Sequence, residues 1–210
     1  MVIKLIGLDL KKTLDKNALL MAFFGLVFTY LSSFSLEEGS SLSRLMGIEG
    51  LAFLFLIFAL EFSKGTLQED KARKKIEFVL ANGLGIKFLV IKYFGAIYLS
   101  SLITLLPAIL LFSFKTRISV LEILNFLLTA SLYTNFLILK ILNTVNMNKM
   151  AGIQNKIILL GILILMVSIN IYIFTSMIKL YLISKFLILI AINIFVALRT
   201  NKERIGVTYF

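Results

Sequence analysis

The residues able to do chemistry gather in one stretch. From Glu61 to Phe94 the chain reads EFSKGTLQEDKARKKIEFVLANGLGIKFLVIKYF, where Lys64, Lys71, Arg73, Lys74, Lys75 and Lys87 stand among Glu69, Asp70 and Glu77. Charges of both signs at this density suit ion pairing, with a partner protein or with lipid headgroups, rather than bond making. Elsewhere the supply is thin. There is no His and no Cys, which removes the commonest zinc and haem ligands, the usual proton shuttle and any thiolate site. No HExxH, no GxSxG, no metal-binding carboxylate cluster and no GxxxxGK[ST] phosphate cradle occurs. We therefore expect no catalytic residue, metal or cofactor on this chain, and any ATP would have to be bound by a partner subunit.

The elements that must carry this stretch are apolar. The chain of 210 residues is 60% hydrophobic and 16% charged, with a mean hydropathy of +0.99. Soluble domains carry about a quarter charged residues. The composition is that of an all-α membrane protein, one membrane-embedded unit over residues 1–210. Apolar runs at about 18–35, 45–62, 88–113, 119–142, 156–174 and 182–198 each reach bilayer-crossing length, and each can satisfy its backbone only as a helix. Residues 63–87 are left as a solvated connection between the second and third spans. Residues 1–17 place Ile3, Ile6, Leu10 and Leu14 at helical spacing opposite Lys4, Lys11, Lys12, Asp15 and Lys16. That pattern predicts an amphipathic helix in the membrane interface. Acidic Asp9 and Asp15 ahead of the first run argue for an uncleaved span over a signal peptide.

Basic residues set the orientation. Seventeen of the 22 fall on the side of the termini, leaving only Arg44, Lys115, Arg117, Lys179 and Lys185 opposite. The positive-inside rule then puts both termini in the cytosol of a multi-pass protein of the plasma membrane. The net charge of +11 is a topology signal, and nucleic acid is not an expected partner.

Within the spans the polar residues are Asn125, Thr129, Ser131, Tyr133, Asn135, Ser168, Asn170 and Asn193, and the Asn side chains are expected to tie helices together. Glu61, Glu122, Lys140 and Lys185 fall near predicted ends, where snorkelling would keep their charges wet. Pro107, the only proline, is expected to bend the third span and is a candidate hinge. The nearly unbroken apolar stretch 156–198 leaves room for little more than a short hairpin or re-entrant turn around 174–182.

The stretch from Glu69 through Gly85, EDKARKKIEFVLANGLG, with Lys92 beyond it, resembles the cytosolic loop after the second span in permease subunits of type-2 ABC exporters. Ile76-Glu77 and Val79-Leu80-Ala81 fit that family's pattern, while Lys74-Lys75 stands in place of its Gly-Thr and Gly83 in place of its Pro. The resemblance implies a short coupling helix in this loop that docks on a separate ABC ATP-binding subunit, and a second permease copy or paralogue to complete the path. Carried over to this chain, the coupling residues are Glu69, Asp70, Lys71, Arg73, Ile76, Glu77, Phe78 and Leu80. Glu69 and Asp70 would pair with basic residues of the partner, and Ile76, Phe78 and Leu80 would supply apolar anchors. Lys71, Arg73, Lys74 and Lys75 would also suit anionic membrane lipids. A haem-exporter-type permease of cytochrome c maturation shares this plan. An ATP-independent membrane scaffold or accessory subunit, and a membrane enzyme or secondary carrier, are the alternatives from other classes.

Overall fold

The computed structural model describes residues 2–34, 41–201, 203 and 205, and the regular elements among them are all helical. They are α1 (Val2–Thr13), α2 (Lys16–Phe34), α3 (Ser41–Ser63), a π-helical turn (Lys64–Gln68), α4 (Glu69–Ala72), α5 (Lys75–Ala81), α6 (Ile86–Thr116), α7 (Val120–Leu142), a 3₁₀ turn (Met147–Lys149), α8 (Met150–Thr175) and α9 (Ile178–Leu198). Five helices among the described residues are long and apolar enough to cross a membrane: α3 with its extension to Ala72, α6, α7, α8 and α9. The α1–α2 pair meets the same test only jointly and is bent by 74° at its break.

Helix α6 is the hub of the bundle and packs against α1, α2, α3 and α7, while α9 lies against α7 and α8. Phe55, Leu56 and Ala59 of α3 meet Tyr93, Ile97 and Leu105 of α6 and Leu137 and Ile138 of α7 in one continuous buried core. Small residues let these helices approach closely. At Gly47 an added Cβ would lie 2.3 Å from Phe112 Cζ and 2.5 Å from Cε2. The Phe112 ring is itself 1% exposed and has no room to swing away. We expect Gly47→Ala to cost about 1–2 kcal/mol net, overpacking outweighing the gain in helix propensity. Thermal unfolding in detergent would read this, and an unchanged midpoint would contradict the tight α3–α6 contact.

The charged stretch departs from the predicted solvated loop. Helix α3 does not end at Phe62 but continues through the π turn into α4, giving one helical rod from Leu42 to Ala72. Thr66, Leu67, Gln68, Asp70 and Lys71 are buried. The chain breaks only at Lys74, whose left-handed backbone (φ 57) separates α4 from α5. Helix α5 ends in a Schellman turn: Leu84 N–H donates to Val79 O, Gly83 N–H to Leu80 O, and Gly83 takes φ 82.

Other boundaries shift as well. Helix α8 starts at Met150, six residues before the predicted run, and α8 and α9 are joined through Ser176 and Met177 alone. The 174–182 region is thus a tight hairpin, with Ser176 left-handed at φ 53. Helix α6 runs unbroken through Pro107. Helix α7 begins at a capping box, in which Ser119 Oγ accepts from Glu122 N–H and the Glu122 carboxylate accepts from Ser119 N–H.

Helix α1 forms as predicted, but its apolar stripe divides. Ile6 packs at Gly95 of α6, and Thr13 Oγ1 lies 2.6 Å from Ser100 Oγ of α6. Ile3 and Leu14 point away from the bundle, Ile3 being 86% exposed. The bundle takes one edge of α1, and the remainder faces outward.

Candidate functional site

The charged stretch is organised by a single turn of helix. Successive side chains of an α-helix point about 100° apart, so four in a row point almost all the way round. Gln68, Glu69, Asp70 and Lys71 do so and reach four different helices. Gln68 Oε1 accepts from Gln154 Nε2 of α8 at 3.0 Å. The Glu69 carboxylate binds Lys12 of α1 and Arg73, the latter at 2.7 Å. Asp70 Oδ2 accepts from Tyr93 Oη at 2.9 Å and from Lys92 Nζ at 3.3 Å, both on α6, while its Oδ1 accepts from Lys75 at 3.1 Å. Lys71 Nζ donates to the carbonyls of Leu142 and, at 3.1 Å, Ile141, at the end of α7.

Each contact has a local cause. The last carbonyls of α7 lack intrahelical donors and carry the negative end of that helix's dipole, so a cation is stabilised there. Lys71, only 1% exposed, takes that place. Lys92 bridges Asp70 and Asp9, at 3.3 Å from each, and so joins α1 and α4 through α6. The π turn before Gln68 widens the rod, and within it Gln68 Nε2 donates to Ser63 Oγ at 2.7 Å.

This arrangement divides the residues expected to face a partner. Asp70, Lys71 and Ile76 lie inside the protein and are not presented for docking, and Glu69 is half-buried and already paired. Arg73, Lys74, Lys75 and Phe78 are exposed, Phe78 by 71%, with Glu77 and Leu80 half-buried beside them. What α5 offers outward is therefore a cationic rim around one aromatic ring.

A second constellation lies toward the opposite end of the bundle. Lys185 of α9 is fully buried, not snorkelling at an interface as predicted, and its Nζ donates to Glu49 Oε1 of α3 at 2.5 Å. Tyr181 Oη donates to the same oxygen, and Asn125 Oδ1 of α7 accepts from Lys185 at 3.1 Å. Glu49 is eight residues into α3 and Lys185 seven into α9. At 1.5 Å per residue both lie about 10–12 Å below the helix ends. A cavity of about 60 Å³, lined by Arg44, Glu122, Asn125 and Tyr181 among aliphatic side chains, leads down to this group. Sequence alone does not single out Glu49, which sits alone in an apolar run. The available signal was a lone Glu in one span and a lone Lys in another, since charges inside membranes pair.

Asn135 and Asn193 join α7 to α9 with a 3.0 Å hydrogen bond, as expected of Asn within spans. Among the described residues no three His, Cys, Asp or Glu side chains gather into a metal-binding group.

Fold and site together define an all-α, multi-pass membrane protein with a polar hub at one end and a buried ion pair toward the other. No family model matches the chain, and neither the curated proteins nor the solved structures yield a match.

Proposed function

We propose that the chain is the membrane-spanning permease subunit of an ATP-driven exporter, non-catalytic by itself, which couples through α5 to a separate ATP-binding subunit. The observation that carries this reading is α5 itself. A two-turn helix stands between the second and third spans, exposes Phe78 within Arg73, Lys74 and Lys75, and is joined directly to the Gln68–Lys71 turn. A push on such a helix would pass across the short Arg73-Lys74 break to α1, α6, α7 and α8 through side chains that are already hydrogen-bonded.

In this reading the bent α1–α2 pair counts as an interfacial helix plus the first of six spans. The end carrying α1, α4 and α5 faces the cytosol of the plasma membrane, as the basic residues require. A second copy or paralogue completes the path. Hot spots at interfaces are a few apolar or aromatic anchors within a polar rim, and Phe78 is that anchor.

Phe78→benzoylphenylalanine in the native host should, on illumination, yield a covalent adduct with a Walker-type ATPase, identifiable by mass spectrometry. Phe78→Asp should lower transport-linked ATP hydrolysis by at least about tenfold, as loss of a hot spot does. Adducts with lipid alone, and no ATPase among them, would exclude the coupling role of α5.

A further inference from the structure

In the crook of the α1–α2 bend a cleft of about 230 Å³ opens between Lys12 and Asp15 on one side and Glu61, Lys64 and Gly65 on the other, with Met21 deeper along α2. Its level in the membrane follows from its walls. One wall is the start of α2 and the other the end of the apolar part of α3, and both lie where apolar helix gives way to charge. That is headgroup depth. The cleft is smaller than a drug-sized site, and Met21 and Phe62 supply its apolar lining.

Its charges balance. Lys12 and Lys64 contribute two cations, and Asp15 and Glu61 two carboxylates. Lys64 is bound to Glu61 at 2.5 Å and Lys12 to Glu69, but each ammonium has three donors and keeps two for a further acceptor. Asp15 uses only Oδ1 to cap α2, accepting from Asn17 N–H at 2.9 Å and Ala18 N–H at 3.2 Å. Its second oxygen has no partner among the described residues. A purely anionic headgroup would leave the second Asp15 oxygen without a donor and would compete with Glu61 for Lys64. A quaternary ammonium offers them no donor and needs an aromatic cage, whereas a primary ammonium offers three.

We propose that this cleft binds the headgroup of a zwitterionic aminophospholipid, its phosphate on Lys12 and Lys64 and its ammonium on Asp15 and Glu61. The site's chemistry is independent of any ATPase partner, so it stands or falls separately from the permease reading.

Gly65 provides the means to test it. A Cβ there would meet nothing within 4 Å, and its backbone φ lies outside the left-handed region. Gly65→Phe thus adds bulk at the cleft wall from a Cβ that stands in open space. The purified chain is reconstituted into nanodiscs of equal phosphatidylethanolamine, phosphatidylcholine and phosphatidylglycerol, extracted, and analysed by native mass spectrometry. The expected result is one retained phosphatidylethanolamine per chain, about tenfold in excess of each competitor, the order expected from a charge-assisted hydrogen bond. Gly65→Phe should abolish this retention. Glu61→Gln, an exposed change that leaves the fold intact, should bring phosphatidylethanolamine and phosphatidylcholine to parity. Equal retention of the three lipids by the unaltered chain, preference for phosphatidylglycerol, or an unchanged preference in Glu61→Gln would each overturn the proposal. Undiminished phosphatidylethanolamine on a folded Gly65→Phe chain would do the same.

Discussion

Lys185→Met is expected to destabilise the bundle by about 3–5 kcal/mol, the cost of leaving a buried carboxylate without its cation. Glu49 is 2% exposed and Lys185 fully buried, so water cannot replace the lost partner. Tyr181 would still donate to Glu49 Oε1, and Asn125 Nδ2 lies 3.5 Å from the same oxygen. Neither supplies charge. Glu49→Met alone should cost a similar amount, because it strands the ammonium between α3, α7 and α9. The two changes together should recover most of the loss, since replacing a buried ion pair with packed apolar side chains is often neutral or stabilising. Unfolding of all three variants in mixed detergent micelles measures the coupling. If the two single losses simply add in the double variant, the contact between Glu49 and Lys185 is not what holds these helices together.

The second large effect is expected at Asp70. Asp70→Leu removes the acceptor shared by Tyr93, Lys92 and Lys75, and leaves the Tyr93 hydroxyl buried without it. Removing one partner of such a cluster costs about 3–5 kcal/mol when it is largely buried. Lys92 keeps its contact with Asp9, which holds the loss toward the lower end of that range. Asp70→Asn retains an acceptor for Tyr93 and should cost about 1 kcal/mol. The consequence should also be directional. Hydrogen exchange should rise over α4 and α5 and at the adjoining start of α6, and stay unchanged at the α8–α9 hairpin. Uniform exchange along the chain, or protection of α5 as strong as before, would mean that Asp70 does not fasten this end of the bundle. Because α5 hangs on the turn that contains Asp70, the same variant tests whether a displacement of α5 reaches the spans.

Much of the fold was legible because a bilayer leaves few choices. Long apolar runs with no competing solvent for the backbone become helices, and five of the runs correspond to helices able to cross on their own. The amphipathic pattern of residues 1–17 likewise gave α1, although Ile3 and Leu14 turned outward. An apolar stripe says that a face avoids water. It does not say whether lipid or protein covers that face. Ends were less legible: α8 begins at Met150, and its first turns carry Gln154 and Asn155, which a local count of apolar residues leaves out.

The Glu61–Phe94 segment shows the limit most clearly. Its composition alone marks the place where charge is concentrated and where a connection must leave the spans. Composition cannot tell that Gln68, Asp70 and Lys71 are enclosed and Glu69 half-buried, because four polar residues in succession read as a wet loop unless the surrounding helices are known. Tertiary structure decides that point. Lys12, Lys92, Tyr93, Gln154 and the last carbonyls of α7 converge on one turn from elsewhere in the chain. The same holds for Glu49 and Lys185, separated by 136 residues and joined only when α3 and α9 pack around Asn125. The chain's own residues determine that it is helical, apolar and charged at one end. Which charges are buried, and against what, depends on pairings between distant segments, since a charge leaves water only where a partner waits for it.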